Sequence, residues 1–160
     1  MKRMLNGASP LAFAFVLFLL AGCGEPSTQA LPHVGLKLTL PAFWSAEEVQ
    51  APEDSTRWIG QVSRSGEVVM RVVNQEQTDS YITSPNQLKT IAKNTGSDIM
   101  SEETFDRGFG MVMLSPQGKK IPLYVIVTEQ GSWFAEAQTY YTNQDLDEVK
   151  QIIKSAEPLK

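Results

Sequence analysis

The 160-residue chain has one cysteine and one histidine. A single cysteine excludes an intramolecular disulfide framework and any Cys-rich zinc site. A single histidine excludes multi-His metal centres and leaves nucleophilic catalysis only one imidazole to draw on. Basic residues are also scarce: 14 Lys+Arg stand against 18 Asp+Glu, a formal net charge of -4. A nucleic-acid partner needs a basic surface to neutralise phosphates, so that class is excluded too. The chain contains no P-loop, G-x-G-x-x-G, H-E-x-x-H, G-x-S-x-G or S-x-x-K pattern. These absences point away from an enzyme and from a resident cofactor.

What is present begins at the amino end. Lys2 and Arg3 give a positive start, and Leu11–Ala21 is an uncharged apolar run of eleven residues. As a helix that run would span about 16 Å, short of the roughly 30 Å hydrocarbon core of a bilayer. A charged start, a short apolar middle and a small-residue end read as a secretory signal segment over residues 1–22. Leu20-Ala21-Gly22-Cys23 resembles the lipobox of bacterial lipoproteins, and the only cysteine of the chain stands where that motif requires it. The resemblance implies cleavage after Gly22 and acylation of Cys23. More than one acyl chain, at about 0.8 kcal/mol per buried CH₂, makes an effectively permanent membrane anchor. Gly24 rather than Asp follows Cys23. In enteric-type lipoproteins this implies an outer-membrane location on the periplasmic face, with the inner membrane as the alternative. Removing residues 1–22 leaves 12 basic and 18 acidic side chains, a net of -6. That charge gains no attraction from anionic lipid, so the acyl group is the expected membrane contact.

Residues 23–34 carry two prolines, small polar residues and no periodicity, and read as the acylated cysteine with a flexible tether ending near His33. Residues 35–160 read as one domain. Leu36, Leu38 and Leu40 alternate with Lys37 and Thr39 in a half-buried strand stopped by Pro41. The acidic stretch Ser45–Thr56 reads as mostly loop. Arg57–Arg64 and Glu67–Asn74 are two strands joined at Ser65-Gly66, with Val68, Met70 and Val72 on one face. Ser84-Pro85 opens a helix with the stripe Leu88, Ile91 and Ala92, and Gly96 stops it. Strands follow at Ile99–Phe105, Phe109–Ser115, Ile121–Glu129 and Trp133–Tyr141, then an amphipathic helix from about Gln144 to Ser155. Hairpin-length connections rather than crossovers give an α+β class, an antiparallel sheet with about two packed helices.

Carboxylate pairs at Glu47-Glu48, Glu53-Asp54 and Glu102-Glu103 read as solvated charge, since neighbouring strand residues point to opposite faces. Asn143, Asp145 and Asp147 alternate like the start of a calcium loop, but Glu148 stands where Gly is needed and Lys154 where the bidentate Glu belongs. Acidic residues offsetting the positive end of a helix explain them better. Gly108-Phe109-Gly110 reads as a turn with close backbone packing. Tyr124, Phe134 and Tyr140 form a candidate partner or ligand patch if they share the solvent face; cover by a helix is the alternative.

Gly35-Leu36-Lys37-Leu38-Thr39-Leu40-Pro41 followed by Phe43-Trp44, the mid-chain helix, the central hairpins and the ending Ile152-Ile153-Lys154-Ser155-Ala156 together resemble the PsbP-like (Mog-type) α+β sandwiches, in particular DcrB-like lipoproteins. The resemblance covers residues 35–158 and implies a non-enzymatic accessory or binding protein, with no catalytic residues to carry over. The expected function is therefore a membrane-anchored, periplasm-facing lipoprotein acting by protein–protein contact, as an accessory or assembly factor of a secretion or pilus type complex. An immunity-type lipoprotein that blocks a toxin and a small-ligand-binding lipoprotein are the alternatives.

Overall fold

The computed structural model of the chain describes residues 24–79, 81–137 and 143–159. The segment 1–22 expected as a signal, the expected lipobox residues Leu20, Ala21 and Gly22, the expected acylation site Cys23 and the candidate patch residue Tyr140 lie outside the described residues.

The first strand was not expected. Ser27–Leu31 (β1) pairs antiparallel with Leu36–Leu40 (β2), Ser27 opposite Leu40 and Leu31 opposite Leu36. The segment read as a tether is thus part of the fold from residue 27 onward. Its prolines, Pro26 and Pro32, bracket the strand rather than interrupt it, so neither removes a ladder donor. Leu31 is buried, and the turn closes with the Gly35 N–H donating to the Leu31 carbonyl at 2.7 Å. Gly35 takes φ 82°, which favours glycine. On β2, Leu36, Leu38 and Leu40 point inward as their alternation requires. Glu157–Pro158 (β10) adds to the other edge of β2, completing a small three-stranded sheet.

The acidic stretch expected as loop is a second departure. Trp44–Ala51 (β3) and Asp54–Arg64 (β4) form a long hairpin around Pro52-Glu53, with a register shift at Gln50/Ala51. The inward positions there are filled by Trp44, Ala46 and Ala51, and small alanines give a weak alternation against the acidic residues between them. Glu67–Asn74 (β5) follows through Ser65-Gly66. Of the face expected there, Met70 and Val72 are fully buried while Val68 is half-buried. A bulge at Val62/Ser63 sets Ser63 opposite Val68 and Val62 opposite Met70, and it turns Val69 inward as well.

After a 3-10 turn at Gln75–Gln77, helix α1 (Pro85–Asn94) crosses one face of the sheet. The chain then returns by hairpins through Asp98–Phe105 (β6), Gly108–Leu114 (β7), Lys120–Thr128 (β8) and Gly131–Ala137 (β9). The seven-stranded sheet has the order β3-β4-β5-β9-β8-β7-β6, antiparallel at every pair. Helix α2 (Asn143–Ser155) packs on the opposite face, together with the small sheet.

Two apolar cores result, one on each face. The larger joins Leu36, Leu38 and Leu40 to Met70, Tyr124, Ile126, Trp133 and the helix residues Val149, Ile152 and Ile153. The smaller sets Leu88 and Ala92 of α1 on Phe109, Met111, Leu123 and Val125. The fold class is the one expected, α+β with an antiparallel sheet and two helices.

Candidate functional site

Helix α1 is ten residues long and about 10 Å in diameter, and it packs on β6 and β7. Strands lie about 4.8 Å apart, so one such helix can roof only about two of the seven strands in the sheet. The side chains of α1 reach Leu123 and Val125 of β8, and among the described residues the apolar face of β9 and β5 beyond is left without a helix. The connection from β5 to α1 forms the second wall.

That connection is held by Gln75, the one fully buried amide of the segment. Its Oε1 accepts from the Ile82 N–H at 2.6 Å. Its Nε2 donates to the Ile82 carbonyl at 3.0 Å and to Ser132 Oγ at 2.6 Å. A buried amide with both ends satisfied stabilises a single loop geometry, and here it fixes Ile82 over the sheet. At the start of α1, Gln87 Oε1 accepts from the N–H groups of Thr83 and Ser84 at 2.7 and 3.0 Å, while Nε2 donates to the Tyr81 carbonyl at 3.1 Å. This N-terminal cap fixes where the helix enters.

Between these walls lies a cleft of about 530 Å³, within the range of small-molecule sites. Its floor is Val73, Met113, Ile121, Leu123 and Phe134; Ile82 of the connection and Ile91 of α1 also line it. Thr78, Thr95, Ser97, Ser115 and Gln117 supply neutral polar groups to the lining, and among the described residues Glu136 is its only charged one. Among the described residues no Lys or Arg lines the cleft, so an anionic group would find no counter-charge there. An uncharged apolar body with a small hydrogen-bonding end matches the lining.

The residues proposed from sequence as one patch do not come together. On β8 and β9, Tyr124 stands opposite Ala135 and Val125 opposite Phe134, so Tyr124 and Phe134 project from opposite faces of the sheet. Phe134 is part of the cleft floor. Tyr124 is buried in the larger core, with Glu103 the carboxylate nearest in effect to its hydroxyl among the described residues. Burial above all, and then the negative charge of Glu103, pushes that phenol far above its ordinary ionisation range. Glu103 pairs with Lys154 at 3.0 Å and Lys150 at 3.4 Å. Burial alone would raise its carboxyl, but these two ammonium groups together hold it below the usual glutamate value.

His33 also has a structural post. It stacks on Trp58 with ring centroids 4.0 Å apart, and its Nδ1 lies 2.9 Å from Glu48 Oε2. Among the described residues no group of three or more His, Cys, Asp or Glu is placed to hold a metal, and no helix is long and apolar enough to cross a membrane. Sequence reasoning missed the cleft itself. Its members come from β5, β7, β8, β9, α1 and three connecting segments, and only the alternation that sends Leu123 and Phe134 away from the larger core hinted at it.

No family model and no curated protein matches the sequence. Among solved structures the chain is similar to the cyanobacterial PsbP (CyanoP) of Synechocystis sp. PCC 6803, at 8% identity and a TM-score of 0.45, over 84% of this chain and 92% of that one.

Proposed function

We propose that this protein is a lipid-anchored binding protein of the bacterial envelope that holds an uncharged apolar or amphiphilic small molecule in the cleft beside α1. The observation that carries the ligand is the cleft: about 530 Å³, floored by Phe134, Leu123 and Met113, and walled by a loop that Gln75 pins in place. The anchor is supported by Leu20-Ala21-Gly22-Cys23 at the end of a short apolar segment. Gly24 after the cysteine favours the periplasmic face of the outer membrane.

The test is recovery of the lipidated protein from membranes in mild detergent, followed by native mass spectrometry. A discrete neutral adduct is expected, released on denaturation and lost in Phe134→Ser. An adduct-free protein under all preparations would count against the ligand. In parallel, Cys23→Ala should leave the protein uncleaved or free of the membrane fraction.

Action through protein contact has its own supporting observation. Strand β6 ends the sheet, and Ile99 and Met100 on it are 40% and 50% exposed, so its outer edge offers unpaired backbone and apolar side chains to a partner strand. An accessory role in an envelope complex would use this edge. Mutation of Ile99 and Met100 to Lys should abolish capture of a partner and leave the ligand adduct intact.

A further inference from the structure

The sheet has two ends, and the amino terminus of the folded chain emerges at one of them. Gly24 lies against Ala42: a Cβ placed on Gly24 would sit 3.1 Å from the Ala42 Cβ. Only Gly24, Glu25 and Pro26 separate Cys23 from β1. Consecutive Cα atoms are about 3.8 Å apart, so one peptide step on either side of the Gly24–Ala42 contact keeps Cys23 within about 13 Å of Phe43.

Phe43 is the unexplained residue of this end. It is 72% exposed, more than any other large hydrophobic side chain among the described residues. It also takes φ 68°, in the left-handed region where a bulky side chain is strained and glycine or asparagine is the usual occupant. The turn itself does not call for a phenyl ring. The backbone there is fixed by two hydrogen bonds, from the Trp44 N–H to the Pro41 carbonyl and from the Ser65 N–H to the Phe43 carbonyl, both at 3.2 Å. An exposed aromatic held in a strained conformation, beside the residue that carries the anchor, has an apolar surface to meet.

We infer that the turn Pro41-Ala42-Phe43 is a second membrane contact, with Phe43 entering the headgroup and acyl boundary of the same leaflet that holds the acyl chains of Cys23. The contact rests on the reading of Cys23 as acylated. It seats the Phe43 and Ser65-Gly66 end of the sheet on the lipid surface and points the opposite end, with the Glu129-Gln130 turn, away from it. Aromatic side chains favour this boundary. Glu25 and Glu67 are exposed at the same end, which makes a zwitterionic lipid the better surface than an anionic one.

The experiment uses the full lipidated protein in phosphatidylcholine vesicles, a fraction of whose lipids carry a spin label high on the acyl chain. With Cys23 in a thioether, Glu67→Cys supplies the only free thiol, and it is labelled with an environment-sensitive fluorophore. Gln130→Cys, at the far turn, is the reference. Lipid quenching several-fold stronger at position 67 than at 130 is expected, and adding Phe43→Asp should remove most of that difference while the protein still floats with the vesicles. Equal quenching at the two positions in floating protein, or quenching at 67 that Phe43→Asp leaves unchanged, would overturn the contact and leave the anchor standing. If Cys23 of the unmodified protein itself takes the label, the anchor falls, and the contact falls with it.

Discussion

The imidazole of His33 lies on the indole of Trp58, centroids 4.0 Å apart and planes 17° from parallel. The pair joins the turn after β1 to the middle of the long hairpin. Glu48 closes the arrangement from β3: its Oε1 accepts from the Val34 N–H at 2.7 Å while Oε2 meets His33 Nδ1 at 2.9 Å. Val34 is fully buried, so the carboxylate is the partner of an otherwise enclosed backbone donor. Gly60 makes room for the neighbouring contact, since a Cβ there would lie 2.8 Å from Leu31 Cδ1.

Glu48→Ala should therefore destabilise the protein by about 1–3 kcal/mol, the cost of leaving a buried donor without a partner. Glu48→Gln keeps an acceptor oxygen and should lose less. The denaturant midpoint at constant slope reads both effects. A midpoint unchanged in Glu48→Ala would mean that the turn is not held to β3 by this group.

Gly110 on β7 packs beneath Tyr124. A Cβ there would fall 2.3 Å from Tyr124 Cδ1 and 2.8 Å from the Leu123 carbonyl oxygen. Gly110→Ala should cost about 3 kcal/mol, because the ring and the neighbouring strand backbone would both have to move. Combining it with Tyr124→Leu should recover part of the loss in thermal or chemical unfolding. Full additivity of the two changes would contradict the contact.

The pH response of the Glu103 cluster has a definite sign. Its folded-state ionisation lies below the ordinary glutamate value of 4.5, with Lys154 and Lys150 outweighing burial. A depressed carboxyl contributes stability above the unfolded value and loses it as pH falls through the folded one. Wild type should thus lose more stability than Glu103→Gln as pH falls below about 4.5, the ordinary value. The group is partly exposed, so the differential should stay under about 1 kcal/mol and shrink with salt. Unfolding free energies of the two proteins across that acid range supply the check.

The parts of the fold that sequence reveals are those where large apolar residues alternate with charged ones. Leu36, Leu38 and Leu40 against Lys37 and Thr39 name both a strand and its buried face. Ser84-Pro85 and Gly96 bound a helix by the chemistry of its ends. The strands that escape are β1, whose bracketing prolines look like a tether, β3, whose inward alanines barely stand out from the acidic residues around them, and the two-residue β10, too short to show any alternation. The site is hidden for a different reason. Whether Tyr124 and Phe134 share a face depends on the register between β8 and β9, which neither segment contains by itself. The cleft is defined by the strands that a short helix fails to cover, and that is a property of the topology.

The most direct measurement is titration of the lipidated protein, in a detergent that covers the acyl chains and is too bulky to enter the cleft, with the neutral fluorophore phenylnaphthylamine. Ile91→Trp, which projects a larger side chain across the cleft from α1, serves as the blocked variant. Saturable, one-to-one fluorescence enhancement is expected for the wild type, weakened at least tenfold in Ile91→Trp at unchanged unfolding midpoint. Equal binding by the two proteins, or only the unsaturable rise given by detergent alone, would contradict the assignment of the cleft as the ligand site.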